Sequence, residues 1–263
     1  MNILDLIVKQ KRIEVAHTRK MITESSLEQS PAFHKQCNSL QQNLLSSGSS
    51  GIIAEFKRKS PSKGWINKDH PVVSTIKGYI DAGAAGVSIL TDPAFFGGGN
   101  EDIIAVRKDD SISIPVLRKD FIIDEFQVIE TKSLGADVML LIAAILSKEE
   151  VYHLASKAKD LGLEVLLEIH TESELPHINK YIDFVGVNNR DLKTFIVDIQ
   201  RSIDLAPLIP EHTIMISESG INHAKDVSIL REHGFKGFLV GERFMREPDP
   251  GIACKEFIKS SMS

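Results

Sequence analysis

Apolar positions in this chain follow two patterns. Over residues 3–20, Ile3, Leu6, Ile7 and Ile13 recur at helical spacing among Lys, Arg and Glu, with Val8 and Val15 on a second apolar edge. That spacing predicts an amphipathic helix. A second helix is expected over residues 31–46, ending in the breaker Ser46-Ser47-Gly48-Ser49-Ser50. From Ile52 onward, short apolar runs alternate with helical patterns. The runs are Ile52–Lys57, Gly86–Leu90, Pro115–Arg118, Val138–Ala143, Glu164–Ile169, Phe184–Val187, Thr213–Ser217 and Gly237–Val240. The helical patterns are Val72–Ala82, Asn100–Lys108, Glu125–Leu134, Lys148–Leu161, Glu172–Tyr181, Ile199–Ile209, Ala224–His233 and Gly251–Lys259. Ser147 and Thr171 are placed as N-caps, and Gly135, Gly162 and Gly234 as C-caps before the next strand.

Strand–helix alternation with short connections implies a parallel sheet, because parallel strands need crossover helices. Eight such units match the α/β (β/α)8 barrel, whose usual length is about 250 residues. The organisation expected is an N-terminal helical extension over residues 1–50 packed on a single catalytic barrel over 51–263. A doubly wound open sheet is the competitor. No Gly-x-Gly-x-x-Gly follows the first strand, which lowers a dinucleotide-binding reading. Gly97-Gly98-Gly99 is too short and misplaced for a phosphate loop and reads as a flexible flap.

Composition narrows the function. The chain has 263 residues, 42% hydrophobic and 25% charged, which is ordinary for a globular protein. Its net charge of −5 argues against a general nucleic-acid binder. The basic cluster Lys57-Arg58-Lys59 with Lys63 is therefore local, and suggests either a small anionic ligand or a solvated patch. Cys37 and Cys254 lie far apart without metal-ligand spacing, so neither a disulfide framework nor a metal site is expected. No apolar run approaches the roughly 20 residues that span a bilayer. The N-terminus, Met1 to Leu6, leads into a charged amphipathic pattern unlike a signal peptide. A cytoplasmic protein is expected.

A barrel places its chemistry at the C-terminal ends of several strands. There the chain offers Glu55 with Lys57, Asp92, Lys119 with Asp120, Glu168 with His170, Asn188 with Asn189 and Arg190, Glu218 with Ser219, and Gly241 with Glu242. Strand alternation puts Glu55 and Lys57 on one side. Lys119 ends an apolar strand, where an isolated ammonium would be costly, so it needs carboxylates; Glu55, Glu168 and Glu218 are the candidates. Two lysines and three carboxylates at one mouth form a general acid/base set. The plainer readings are scattered salt bridges, a turn initiated by Asp92, a capping role for His170 and backbone bonding by Asn188. Gly220 and Gly241 follow the last two strands, where backbone N–H groups and a short helix often bind phosphate.

These stretches resemble the indole-3-glycerol-phosphate synthase family over nearly the whole chain. The matching motifs are Ile53 to Ser62, Leu90-Thr91-Asp92 with Phe96-Gly97-Gly98, Val116 to Ile122, Leu167 to His170, Gly186 to Leu192, Ser217 to Ile221 and Leu239 to Glu242. The resemblance implies a carbon–carbon lyase of tryptophan biosynthesis. It would close the pyrrole ring of 1-(2-carboxyphenylamino)-1-deoxyribulose 5-phosphate, releasing CO2 and water, with no cofactor or metal. By the same resemblance Lys119 is the acid that protonates the ketone, and Lys57 with Glu55 serve the dehydration. Glu168 accepts a proton or positions Lys119; Asn188, Glu218 and Ser219 hold hydroxyls and charged groups. Phosphate is expected at Gly220, Gly241 and Glu242, with Ser60 and Lys57 contributing. The anthranilate ring is expected against Phe96, Phe121 and Leu140. Arg190 lies near the substrate carboxylate or supports the Asn188 loop. Arg243 and Phe244 stand where the family has small or aliphatic residues.

The last helix ends near the C-terminus, so the resemblance is to a stand-alone synthase. A small phosphorylated substrate, no nucleic acid or membrane, and a monomer or weak homo-oligomer are expected. One alternative is another phosphate-binding barrel such as a phosphoribosylanthranilate isomerase, which needs a Cys/Asp pair that neither Cys37 nor Cys254 supplies at a strand end. The other is a non-catalytic barrel scaffold, in which parts of the acid/base set would be missing.

Overall fold

The computed structural model describes residues 3–191 and 194–262. Leu192, the last residue of the Gly186 motif, and Met1 and Asn2 of the N-terminal pattern lie outside the described residues. Eight parallel strands close into a barrel in sequence order: β1 (Ile52–Phe56), β2 (Gly86–Leu90), β3 (Val116–Lys119), β4 (Val138–Ile142), β5 (Glu164–Ile169), β6 (Phe184–Asn188), β7 (Ile214–Glu218) and β8 (Gly237–Val240), which returns to β1. Strands buried on both faces need apolar residues at consecutive positions, which is why these runs are nearly continuous in sequence.

Alternation sorts the side chains into two layers. Ile52, Ala54, Val87, Val116, Met139, Val165 and Val185 face the surrounding helices. Ile53, Leu117, Val138, Leu140, Leu166, Phe184, Ile216 and Leu239 fill the barrel interior. Glu55, Lys119, Glu168 and Glu218 each stand two residues beyond one of these interior residues. They therefore emerge on the axis of the barrel at its C-terminal mouth.

The N-terminal extension occupies both ends of the barrel. Helix α1 (Ile3–Met21) crosses the mouth, where Ile7 joins the interior cluster and Ile3 and Leu4 pack against it. After α2 (Glu24–Glu28) the chain reaches the opposite end, where α3 (Leu40–Leu45) buries Leu40 and Leu44 in the barrel floor. The helix expected over 31–46 is reduced to α3. The preceding residues are turns and extended chain: Asn38 N–H donates to Asp137 Oδ1 (2.8 Å) and Ser39 Oγ to Glu164 Oε1 (2.5 Å), while Leu40 N–H, at the start of α3, donates to Glu164 Oε2 (2.8 Å). Carboxylates on the barrel floor thus hold Asn38 and Ser39 and cap the start of α3.

The remaining helices are α4 (Val72–Asp81), α5 (Pro93–Phe96), α6 (Asn100–Arg107), α7 (Glu125–Leu134), α8 (Lys148–Asp160), α9 (Gln200–Leu205), α10 (Ala224–Glu232), α11 (Glu242–Met245) and α12 (Pro250–Ser261). The helix expected over Glu172–Tyr181 is only a 3-10 segment, Glu172–His177, containing Pro176. Proline lacks an N–H and crowds the preceding turn, so an α-helix does not propagate through it. The loop after β1 contains a short hairpin pairing Lys59–Ser60 with Gly64–Trp65. The glycine triplet is a packing device rather than a flap: Gly97 closes α5 at φ 64°, and a Cβ on Gly98 would lie 1.9 Å from the Leu90 carbonyl oxygen. Among the described residues no helix is long and apolar enough to cross a membrane.

Candidate active site

The strand ends surround a cavity of about 410 Å³ lined by Glu55, Lys57, Lys119, Glu168, Asn188 and Glu218, and capped by Ile3, Leu4 and Ile7 of α1. Lys119 is its centre. Its Nζ lies 2.5 Å from Glu218 Oε2 and 3.1 Å from Glu168 Oε2. Asn188 Nδ2 donates to the other Glu168 oxygen at 3.0 Å, while its own Oδ1 accepts from Arg190 N–H. Glu55 does not bond Lys119; it takes Lys57 Nζ at 2.6 Å on Oε1. Of the three carboxylates expected around Lys119, two touch it and the third acts through space.

Charge counting explains the titration. Glu55, Glu168 and Glu218 are buried together, with Lys57 and Lys119 partly buried between them. Burial raises the pKa of Glu218; Lys119 lowers it, Glu168 and Glu55 raise it again, and the balance is about 7. Glu168 goes the other way: burial works against its charge, but Lys119, His170 and Asn188 more than offset that and hold it ionised well below the usual carboxylate range. Burial likewise opposes charge on Lys119, yet Glu218, Glu168 and Glu55 raise its pKa well above that of an ordinary lysine. At neutral pH the site thus holds one firm acid, one firm carboxylate and one group divided between its two forms.

One wall of the cavity is built from the loops after the last two strands. Ser219 and Gly220 both adopt positive φ (67° and 78°), turning the backbone after β7 toward the cavity. Gly241 caps the four-residue α11, so the N–H groups of Gly241 and Glu242 begin a helix at the cavity wall. Ser60, Lys63 and Arg243 line the same cavity. Phe244, one of the departures from the family pattern, points away and packs against Tyr79 and Phe257. On the apolar side, Phe96 and Phe121 approach at 6.0 Å between ring centroids, with Leu140 below them. Arg190 lines the cavity, and its Nη1 donates to the Phe195 carbonyl at 3.4 Å. All the residues to which the family resemblance assigns a role therefore border one cavity, whereas Asp92, His170 and Asn189, also at strand ends, do not line it. Cys37 lies on the extension and Cys254 is buried on α12, away from it.

Three supports were not expected from sequence. Lys11 of α1 is 4% exposed, with Asp120 Oδ1 at 2.9 Å and Asp92 Oδ2 at 3.0 Å. Burial opposes its charge, but these carboxylates raise its pKa well above the ordinary value. Behind Lys119, Arg118 points outward and is held by Glu130 (2.6 Å), Asp120 (3.1 Å), Thr131 (3.0 Å) and Asn100 (3.1 Å). Last, Gly186 leaves room for Glu218: a Cβ there would lie 2.2 Å from Glu218 Oε1. The only sequence signal for Lys11 is a cation on the apolar side of an amphipathic helix. Nothing in the sequence pairs Gly186 with Glu218. Among the described residues no group of three or more His, Cys, Asp or Glu is arranged to hold a metal ion.

A closed (β/α)8 barrel with interlocked lysines and carboxylates at its mouth defines a class, the barrel enzymes equipped for acid–base chemistry at their strand ends. Barrels of this shape recur at low identity. The tryptophan synthase alpha subunit of Legionella pneumophila superposes with a TM-score of 0.61 at 13% identity, covering 85% of this chain and 96% of that one. The 3-hexulose-6-phosphate synthase of Salmonella typhimurium gives 0.60 at 14% identity, covering 80% and 97%. These two share the fold alone. The family model described as indole-3-glycerol phosphate synthase matches residues 4–257. The indole-3-glycerol phosphate synthase of Bacteroides thetaiotaomicron is 46% identical over 259 residues, 98% of each chain. That of Bordetella pertussis is 40% identical over 261 residues, 98% of this chain and 99% of the other. This chain belongs to the indole-3-glycerol phosphate synthase family.

Proposed function

We propose that the protein converts 1-(2-carboxyphenylamino)-1-deoxyribulose 5-phosphate to indole-3-glycerol phosphate, CO2 and water, as a carboxy-lyase of tryptophan biosynthesis. The observation that carries this reading is Lys119, an ammonium fixed between two carboxylates and facing the same cavity as the Glu55–Lys57 pair. The reaction needs an acid at the substrate ketone while an aromatic carbon attacks it. Lys119 is present in acid form at neutral pH, and it donates as the ketone oxygen becomes basic during bond formation. Loss of CO2 from the attacking ring carbon restores aromaticity. Dehydration then requires an acid at the new hydroxyl and a base at the adjacent C–H. Lys57 and Glu55, a bonded ammonium and carboxylate, take these two roles.

Glu168 anchors Lys119, and Glu218, divided between its forms near pH 7, buffers the charge that the proton transfers move. Asn188 and Ser219 orient the sugar hydroxyls. The phosphate rests on the backbone of Gly220, Gly241 and Glu242 with Ser60, and the anthranilate ring on Phe96, Phe121 and Leu140, with Arg190 toward its carboxylate. No electron leaves or enters the substrate overall, so acid and base groups suffice. We place the reaction in the cytoplasm, carried out by a monomer or weak homo-oligomer without nucleic-acid or membrane partners. The growth of indole fluorescence on adding substrate tests the reading. Wild type should turn over, and Lys119→Ala should lose roughly 10²–10⁴-fold in kcat. No turnover by wild type, or full activity in the variant, would overturn it.

A further inference from the structure

His170 follows β5 and is 5% exposed, yet it does not line the cavity. Its Nε2 lies 3.3 Å from Glu168 Oε1, and its Nδ1 lies 3.7 Å from Glu174 Oε2. Neither ring nitrogen has an aligned hydrogen-bond partner. Both carboxylates are otherwise committed. Glu168 holds Lys119 and Asn188, and Glu174 Oε2 accepts the backbone N–H of His170 at 2.5 Å. The charged groups facing the imidazole are Glu168 on its own strand, Glu174 on the 3-10 segment and, beyond Glu168, Lys119 of β3. A neutral ring would leave buried polar atoms idle between two anions, whereas an imidazolium is attracted to both.

We propose that His170 is an imidazolium in the working enzyme and acts as a positioning residue, fixing the Glu168 carboxylate so that its Oε2 stays on Lys119. The inference rests on the reaction proposed above. With its Oε1 side occupied by Asn188 and the imidazolium, Glu168 has one oxygen left to aim the Lys119 ammonium. Removing the charge frees the carboxylate to turn and weakens that aim without touching substrate. Burial opposes protonation of His170, but the contacts with Glu168 and Glu174 raise its pKa to about 9. Its positive charge is therefore held through neutral pH and lost as pH rises past that value.

Two measurements test this. In enzyme carrying isotope-labelled histidine, one imidazole should titrate near pH 9 by NMR and be missing from His170→Gln. In turnover, His170→Gln should lower kcat by between about 10-fold and 10²-fold, with KM held within about twofold. The wild-type kcat should fall on the alkaline side near pH 9, and that limb should be absent from the variant. Glu174→Gln, which keeps an acceptor for the backbone but removes one anion, should move the limb to lower pH. A role confined to tying the loop together would leave both pH profiles unchanged. Wild-type turnover with no imidazole titrating above pH 8, or with unchanged profiles in both variants, overturns this inference alone. Absence of wild-type turnover overturns the reaction itself.

Discussion

Glu218 illustrates how a side chain of the proposed site depends on a residue that does no chemistry. It ends β7 with its carboxylate against the bare backbone of Gly186 on the neighbouring strand, and the two strands are paired in register at Gly186 and Ile216. Glu55 uses Gly241 in the same way, since a Cβ there would lie 2.5 Å from Glu55 Oε1. Gly186→Ala should therefore displace Glu218 from Lys119 and lower kcat by on the order of 10²-fold, the cost of a misplacement of about 1 Å. Steady-state kinetics would check it, and kcat within twofold of wild type would show that Glu218 has another way to reach Lys119. The carboxylates and lysines of the site are legible in sequence because each ends an apolar run. Their glycine partners are not, because the contact joins strands far apart in the chain.

Among the elements, α1 has the least predictable attachment. Its apolar stripe marks it as a helix, but periodicity does not say which surface it covers. The ion pairs from Lys11 to Asp92 and Asp120 settle that by joining α1 to the rims of β2 and β3. Lys11→Met leaves buried Asp92 without its cation and buried Asp120 with Arg118 alone. It should lower unfolding stability by about 3–5 kcal/mol, as for other broken buried pairs. It should also raise KM, because Ile3, Leu4 and Ile7 form part of the cavity wall. Denaturant titration and steady-state kinetics read the two effects, and an unchanged midpoint would mean that water reaches this cluster freely. The segment over 31–39 teaches the opposite lesson. Its composition permits a helix, but Asp137 takes the Asn38 N–H and Glu164 the Ser39 hydroxyl, which hold the chain extended up to the start of α3.

For the whole molecule, the extension and the barrel share one apolar cluster. Leu40 and Leu44 of α3 belong to the same apolar cluster as Leu117, Leu166 and Phe184 inside the barrel, and Ile7 of α1 joins that cluster from the mouth. Leu40 is 1% exposed, so Leu40→Ala should cost about 2–5 kcal/mol in unfolding free energy. The loss should appear in the main cooperative transition seen by calorimetry. A separate low-temperature transition, with the barrel transition unmoved, would show that the floor helix unfolds on its own.

The sequence alone determined the eight strands, the barrel they close and the strand ends where acids and bases collect. Those follow from local periodicity and from the need of parallel strands for crossover helices. It likewise marked Glu55 at the end of β1 and Lys57 just after it as part of the barrel mouth. Tertiary structure alone decided which carboxylates bond Lys119, how Glu218 acquires a pKa near 7, and how His170 comes to lie between two anions. These are properties of distance and burial among residues brought together from different strands, and they arise only when the barrel closes.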